Sequence, residues 1–377
     1  MKILFINLPY SGHIIPTLGL VKALTARGHQ VTYLLTAGWR DKITEVGCDF
    51  VEYADSPKLS AQMKNACTAA DKIASGFDMI IYEQFFFLGK HIADKHSKPA
   101  VRIFTPLAMN DILMKEFVNG GGFEIFHFKW ARMAFTREVS QGFELKTDFW
   151  LDEILKNPPE LNLVYTVREF QPYQAEFPEE NYKFLGASIY KREEHSEFSL
   201  PESDRPLIYI SLGTIANKAV SFYKKCIAAF KKENVTVVMS VGKSINVRNL
   251  GKIPDNFTVY SHVPQLEVLK KADVFVTHGG MNSITESLYF GVPMVVIPHM
   301  TDQPVNAKRV EELNLGRRLD KNKITPRLLR ETVNSVINDE TIRGNVQTMR
   351  ENFHLFDANL RGAELIEQYY SKYSQCK

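Results

Sequence analysis

The sequence predicts an α/β protein of two doubly wound halves, each with a parallel sheet, and a cleft between them at the carboxyl ends of the strands. Three observations predict it. At 377 residues the chain exceeds what one hydrophobic core commonly serves. Short apolar runs alternate with helical stretches in both halves, the pattern of parallel strands covered on both faces. A charged, proline-bracketed segment without periodicity, Lys191 to Pro206, interrupts the alternation and reads as a linker.

In chain order, Ile3–Leu8 reads as a buried strand. Ile15–Arg27 follows as a helix with Leu18, Leu20, Val21 and Leu24 inward, stopped by Gly28-His29. Val31–Leu35 is the next strand, and the pattern returns with strand Met79–Tyr82, helix Phe86–Lys95 and strand Ala100–Phe104. From Met109 to Leu155 it changes. Phe117, Phe123, Phe126, Phe128, Trp130, Phe135, Phe143, Phe149 and Trp150 crowd a helical region broken by Gly120 to Gly122. Aromatics in such number serve as additional core, as the lining of an apolar ligand pocket, or as both. After the linker come strand Leu207–Leu212, helix Phe222–Lys232, strands Thr236–Ser240, Phe257–Tyr260 and Val274–Thr277, a helix, strand Met294–Ile297 and another helix; Glu351–Tyr373 closes the chain as a helix.

The composition, 45% hydrophobic and 24% charged, belongs to an ordinary globular protein. A formal net charge of +3 argues against a nucleic-acid partner, which needs a strongly basic surface. Cys48, Cys67, Cys226 and Cys376 are scattered, with no C-x-x-C pair and no metal-ligand spacing, so reduced thiols in a cytoplasm are expected. The apolar run Ile3–Leu8 is too short for a signal-peptide core or a membrane span, and no stable membrane insertion is expected. Oligomeric state is not encoded in any pattern of this kind.

Several common site motifs fail. No G-x-G-x-x-G follows any strand. Gly242-Lys243-Ser244 resembles the end of a phosphate-binding loop, but Val237 stands where that loop's first glycine belongs. Neither H-E-x-x-H nor G-x-S-x-G occurs.

One segment holds. It carries Val263-Pro264-Gln265, Thr277-His278-Gly279-Gly280-Met281-Asn282-Ser283, Glu286, Gly291-Val292-Pro293 and Asp302-Gln303-Pro304-Val305-Asn306. A strand ending at His278 passes through two glycines that allow a tight turn and close approach to a ligand. Asn282 and Ser283 sit near the start of the next helix, where free N–H groups and the helix dipole favour anions. Glu286 lies one turn further on, placed to accept hydrogen bonds from ribose hydroxyls.

This segment resembles the donor-binding signature of the UDP-glycosyltransferase family, glycosyltransferase family 1 of the macrolide and plant type. Pro9-Tyr10-Ser11-Gly12-His13-Ile14-Ile15-Pro16 resembles that family's opening loop, and Gly28-His29-Gln30-Val31 its second strand. The resemblance spans residues 1 to about 360 and is weakest between Met109 and Ser203. It implies the GT-B fold of two Rossmann-like domains: an acceptor domain at 1–190, the linker at 191–206, a nucleotide-sugar domain at 207–355, and a helix at 356–377 crossing back to the first domain. It also implies no metal and no cofactor, a UDP-sugar being a co-substrate.

Residue by residue, the resemblance makes His13 the catalytic base, a role that suits an imidazole titrating near neutrality. The family places an Asp at the end of the strand matching Ile80–Tyr82. Here that position is Glu83, and either Glu83 or Asp111 is the group that orients His13. Pro9, Ser11, Gly12, Phe85 and Met109 are the implied acceptor contacts. On the donor side the set is Ser211, Gly213, Thr214, His262, Val263, Gln265, His278, Gly279, Gly280, Met281, Asn282, Ser283, Glu286, Asp302 and Gln303. His262 stands where relatives carry Trp or Tyr as a platform under uracil. Asp302 and Gln303 match the pair that grips the sugar, and Gln there goes with glucose in plant relatives. The expected activity is inverting, metal-independent transfer of a sugar from a UDP-sugar to a hydroxyl of a small apolar acceptor such as a macrolide or flavonoid. The alternative is a GT-B enzyme acting on a glycolipid or lipid-linked precursor at a membrane surface.

Overall fold

The computed structural model describes residues 1–119, 128–140, 142–190, 198–213 and 219–375. These divide into two compact units. The first takes the described residues of 1–119, 123–190 and 355–375; the second takes those of 191–354.

The first unit holds seven parallel strands, β1 (Lys2–Ile6), β2 (Gln30–Leu35), β3 (Asp49–Glu52), β4 (Met79–Glu83), β5 (Ala100–Phe104), β6 (Leu161–Val164) and β7 (Tyr182–Phe184). Their order is β3-β2-β1-β4-β5-β6-β7, so the direction of winding reverses between β1 and β4, where Ile6 is in register with Tyr82. Ile3 to Ile6 and Met79 to Ile81 are fully buried because helices cover both faces of the sheet. The strand ends on either side of such a reversal form the usual ligand crevice of an open α/β sheet.

The helix after β1 spans Ser11–Ala26, beginning at Ser11 and not at Ile15, so His13 lies on its first turn. It is buried on more faces than an amphipathic surface helix, because the last helix, Ala358–Gln375, packs against it. Gly19 makes room there for the Asn359 side chain, and Leu20 lies against Gly362. The exposed end of the contact is held by Glu367, which pairs with Arg27 at 2.7 Å and His29 at 2.8 Å.

The aromatic segment serves more than one end. Trp150 is buried against Phe87, Phe135 and Phe149, with ring centroids 5.4 to 6.2 Å away. Below it, buried Glu153 accepts from Thr147 N at 2.8 Å and pairs with His91 Nε2 at 3.1 Å. Phe143 lies beside the His91 ring. Of these, Phe87, Phe149, Trp150 and Glu153 are buried in the core, while His91, Phe135 and Phe143 are half-buried. Phe117 instead faces Phe85, at 5.7 Å, and Phe128 and Trp130 are exposed. Phe123, Phe126 and Gly120 to Gly122 lie outside the described residues.

The second unit repeats the winding with six parallel strands, β8 (Leu207–Ser211), β9 (Thr236–Ser240), β10 (Phe257–Tyr260), β11 (Val274–Thr277), β12 (Met294–Val296) and β13 (Gly316–Arg318), ordered β10-β9-β8-β11-β12-β13. The reversal falls between β8 and β11, with Ser211 in register with Thr277.

Alternating apolar runs did not mark β3, β6, β7 or β13. Three of them are edge strands of three or four residues (DFVE, YKF, GRR) with half-exposed or exposed side chains. The fourth, β6, carries Asn162 in its middle, whose side chain accepts from the buried Arg102 Nε at 2.8 Å. Cys48, Cys67 and Cys226 are buried and unbridged, and burial pushes each thiol well above its ordinary pKa. Among the described residues no helix is long and apolar enough to cross a membrane.

Candidate active site

Three neighbouring strands of the first unit deliver a cluster of polar side chains beyond their carboxyl ends. After β1, buried Asn7 fastens the turn: its Oδ1 accepts from Leu8 N at 2.8 Å, and its Nδ2 donates to His13 O and Tyr33 Oη, each at 3.0 Å. That fixes the backbone of His13. Glu83 is the last residue of β4 and is 1% exposed. Thr105 follows β5 directly and is also buried.

The three side chains meet. Glu83 Oε1 lies 2.9 Å from His13 Nδ1, and Thr105 Oγ1 lies 3.0 Å from the same nitrogen and 3.1 Å from the same oxygen. Glu83 Oε2 accepts from Phe85 N at 3.0 Å. An ionised carboxylate only accepts, so Nδ1 carries a proton, and in the neutral ring the lone pair is then on Nε2. The His13 side chain is 22% exposed, so the ring beside the buried carboxylate reaches the surface.

Around it, Phe85 presents its ring edgewise at 5.1 Å and Tyr10 at 6.1 Å. Ser11 and Gly12 share the first helical turn with His13, and Pro9 precedes it. Met109 is buried beyond β5. Asp111, the other carboxylate considered for His13, opens the helix Asp111–Asn119 and is exposed.

In the second unit the polar residues gather beyond β8 and β11. The His278 ring occupies space left by two glycines. A Cβ on Gly213 would lie 2.6 Å from its Cε1, and one on Gly280 2.6 Å from its Nε2. Gly279, at φ +85°, turns against Val296. Gly280, one of the two glycines read from sequence as allowing ligand approach, thus also makes room for an imidazole. Burial pushes the His278 pKa down to about 4, so the ring is neutral near pH 7 and can act as a hydrogen-bond donor without charge.

The helix Met281–Phe290 starts here with no acidic residue in its first turn, and Ser283 is buried while Asn282 is half-buried. The N–H groups at a helix N-terminus suit an anion. Glu286 is buried, and its Oε2 accepts from Gln265 Nε2 at 2.6 Å; Gln265 Oε1 in turn accepts from Tyr209 Oη at 3.1 Å. Val263 is buried and His262 exposed.

Asp302 and Gln303 begin the helix Gln303–Glu312. Asp302 Oδ2 accepts from Asn306 Nδ2 at 2.8 Å, and that amide also donates to Gly279 O at 3.0 Å, tying the glycine turn to the carboxylate. Gln303 is buried, and its Oε1 accepts from His299 N at 2.8 Å and Met300 N at 3.1 Å. Thr301 supports the bend at φ +56° and donates to Asp302 Oδ1 at 3.0 Å. Ser211 closes β8 and Gly213 follows; Thr214 lies outside the described residues.

The sequence reading missed Asn7, Thr105, Tyr209 and the bridging role of Asn306. Asn7 and Thr105 had one signal, a polar residue just past an apolar strand. Among the described residues no group of three or more His, Cys, Asp or Glu could hold a metal ion.

Comparison with known proteins identifies glycosyltransferases as relatives. The family model described as "Erythromycin biosynthesis protein CIII-like, C-terminal domain" matches residues 226–357. An NDP-glycosyltransferase of Bacillus subtilis (strain 168) is 35% identical over 387 residues, covering 97% of each chain. The oleandomycin glycosyltransferase of Streptomyces antibioticus is 27% identical over 386 residues, covering 94% of this chain and 88% of its own. The crystal structure of a calicheamicin glycosyltransferase superposes with a TM-score of 0.84 at 27% identity, covering 98% of both chains. The chain belongs to the UDP-glycosyltransferase family, glycosyltransferase family 1, and is a GT-B glycosyltransferase of the macrolide and natural-product type.

Proposed function

We propose that this glycosyltransferase moves glucose from UDP-glucose to a hydroxyl of a small, largely apolar acceptor, with inversion and without a metal ion. The observation that carries the reading is the His13–Glu83 pair, with Nδ1 2.9 Å from a buried carboxylate oxygen. In the transfer, the acceptor O–H gives its proton to Nε2 while its oxygen bonds to the anomeric carbon. The bond from that carbon to the diphosphate breaks, and UDP leaves with the electron pair. One displacement inverts the centre and needs no sugar–enzyme intermediate.

Phe85, Tyr10, Phe117 and Met109 favour an apolar acceptor beside His13. On the donor side, neutral His278 and the N-terminus of helix Met281–Phe290 suit the diphosphate, Glu286 the ribose, and Asp302 with Gln303 the hexose. Gln303 has its carbonyl oxygen engaged by the chain, so its amide N–H₂ is the end available to a sugar. A nucleotide-sugar donor also agrees with the name carried by the Bacillus subtilis relative. UDP release from a panel of UDP-sugars with a phenolic acceptor, followed by NMR of the product anomer, tests the reading. UDP-glucose should turn over fastest and give the β-glucoside; a retained anomer would exclude single displacement.

A second reading changes only the acceptor, to a lipid-borne hydroxyl at a membrane surface. Exposed Phe128, Trp130 and Met133 beside Lys129 and Arg137 favour it. Sedimentation with anionic phospholipid vesicles distinguishes the two.

A further inference from the structure

We propose that Thr105 is a positioning residue of the transfer reaction, its hydroxyl locking Glu83 and His13 into the one arrangement that leaves Nε2 as the base. This rests on the reading of His13 as base and extends it.

His13 Nδ1, Glu83 Oε1 and Thr105 Oγ1 form a triangle with edges of 2.9, 3.0 and 3.1 Å. Two protons are available, one on the hydroxyl and one on the ring nitrogen. If Nδ1 were bare, its lone pair would face a carboxylate oxygen at 2.9 Å with no proton between them. The consistent arrangement has Thr105 donating to Glu83 Oε1 while Nδ1–H is shared between that oxygen and Thr105 Oγ1. Each corner then constrains the other two.

Glutamate makes such a lock necessary. Its side chain has one more torsion than aspartate, so an unrestrained carboxylate samples more orientations. Here Oε2 is held by Phe85 N, and Oε1 receives donors from both His13 and Thr105. Thr105 is itself fixed: it is 3% exposed, follows β5 directly and is β-branched, which stiffens χ1. The hydroxyl is therefore placed by the sheet and needs no ligand to order it.

The test compares Thr105→Val, which keeps the shape and removes the hydroxyl, with Thr105→Ser, which keeps the hydroxyl. Thr105→Ala serves as a second removal if the valine variant does not fold. Each is assayed with UDP-glucose and two acceptors, an alcohol and a phenol already ionised at the assay pH. The removal variant should lower kcat for the alcohol roughly tenfold or more, as expected for one lost hydrogen bond to a charged group. The ionised phenol, which needs no base, should be little affected, the KM for UDP-glucose should hold, and serine should recover most of the rate. An unchanged alcohol rate, an equal loss on both acceptors or failure of serine to recover would each overturn the assignment. His13→Ala measured in parallel separates the failures. If His13→Ala shows the acceptor contrast and the Thr105 variants do not, only this inference falls; if neither shows it, the base reading has failed.

Discussion

His13 Nδ1 and Glu83 Oε1 stand 2.9 Å apart across 70 residues of sequence, joined because β1 and β4 are neighbours in the sheet. Glu83→Gln keeps the shape but puts an amide where the charge was. Its N–H₂ can donate to Nδ1, which reverses the tautomer and protonates Nε2. We expect kcat to fall by about 10²-fold or more with UDP-sugar affinity unchanged, in line with the cost of a wrong tautomer in other base–carboxylate relays. Asp111→Asn should stay close to wild type. Steady-state kinetics on both variants checks the pair; a larger loss at Asp111 would transfer the orienting role.

Glu286 and Asp302 should separate nucleotide from sugar. A carboxylate accepting from hydroxyls is worth on the order of 1.5–3 kcal/mol, one to two decades in affinity. Glu286→Ala should weaken UDP and UDP-glucose by a similar factor. Asp302→Ala should leave UDP binding near normal and impair transfer of the hexose. Calorimetric titration of both ligands into both variants measures the split, and an equal UDP loss in the two would displace Asp302 from the sugar.

Much of this was legible in the sequence, for physical reasons that differ by element. β1, β4, β8 and β11 are apolar runs buried on both faces, and a chain that must bury both faces of a strand advertises it. Glu83 could be named because it ends such a run at the position where the family resemblance puts an acid. The edge strands β3, β7 and β13 bury little and leave little pattern. Thr105 and Asn7 acquire meaning only when β5 and the helix Ser11–Ala26 are set beside Glu83, a tertiary fact with no sequence period. Gly213 and Gly280 drew attention in the sequence as loop glycines, but that they accommodate the His278 ring depended on the fold.

The desolvated His278 predicts an acid instability. Its folded pKa, about 4, lies below the ordinary 6.5, so below pH 6.5 the unfolded chain binds a proton that the folded one refuses. Its contribution is intact above pH 6.5 and is lost progressively as pH falls toward 4, by up to about 3 kcal/mol. Urea midpoints at pH 7.5, 5.5 and 4.5 should fall more steeply for the wild type than for His278→Asn. Parallel pH profiles would show that His278 protonates freely in the folded protein.

If helix N–H groups and neutral donors hold the diphosphate, activity should survive excess EDTA. Rates measured before and after chelation, with Mg²⁺ and Mn²⁺ added back, check this. Loss on chelation with recovery on metal addition would place a cation on the diphosphate.

The central claim, that His13 is the base, is tested most directly by His13→Ala. The rate toward an alcohol acceptor should fall about 10²–10⁴-fold, the usual contribution of a positioned general base, while calorimetry shows UDP-glucose binding unchanged. An alcohol rate near that of the wild type would contradict the account.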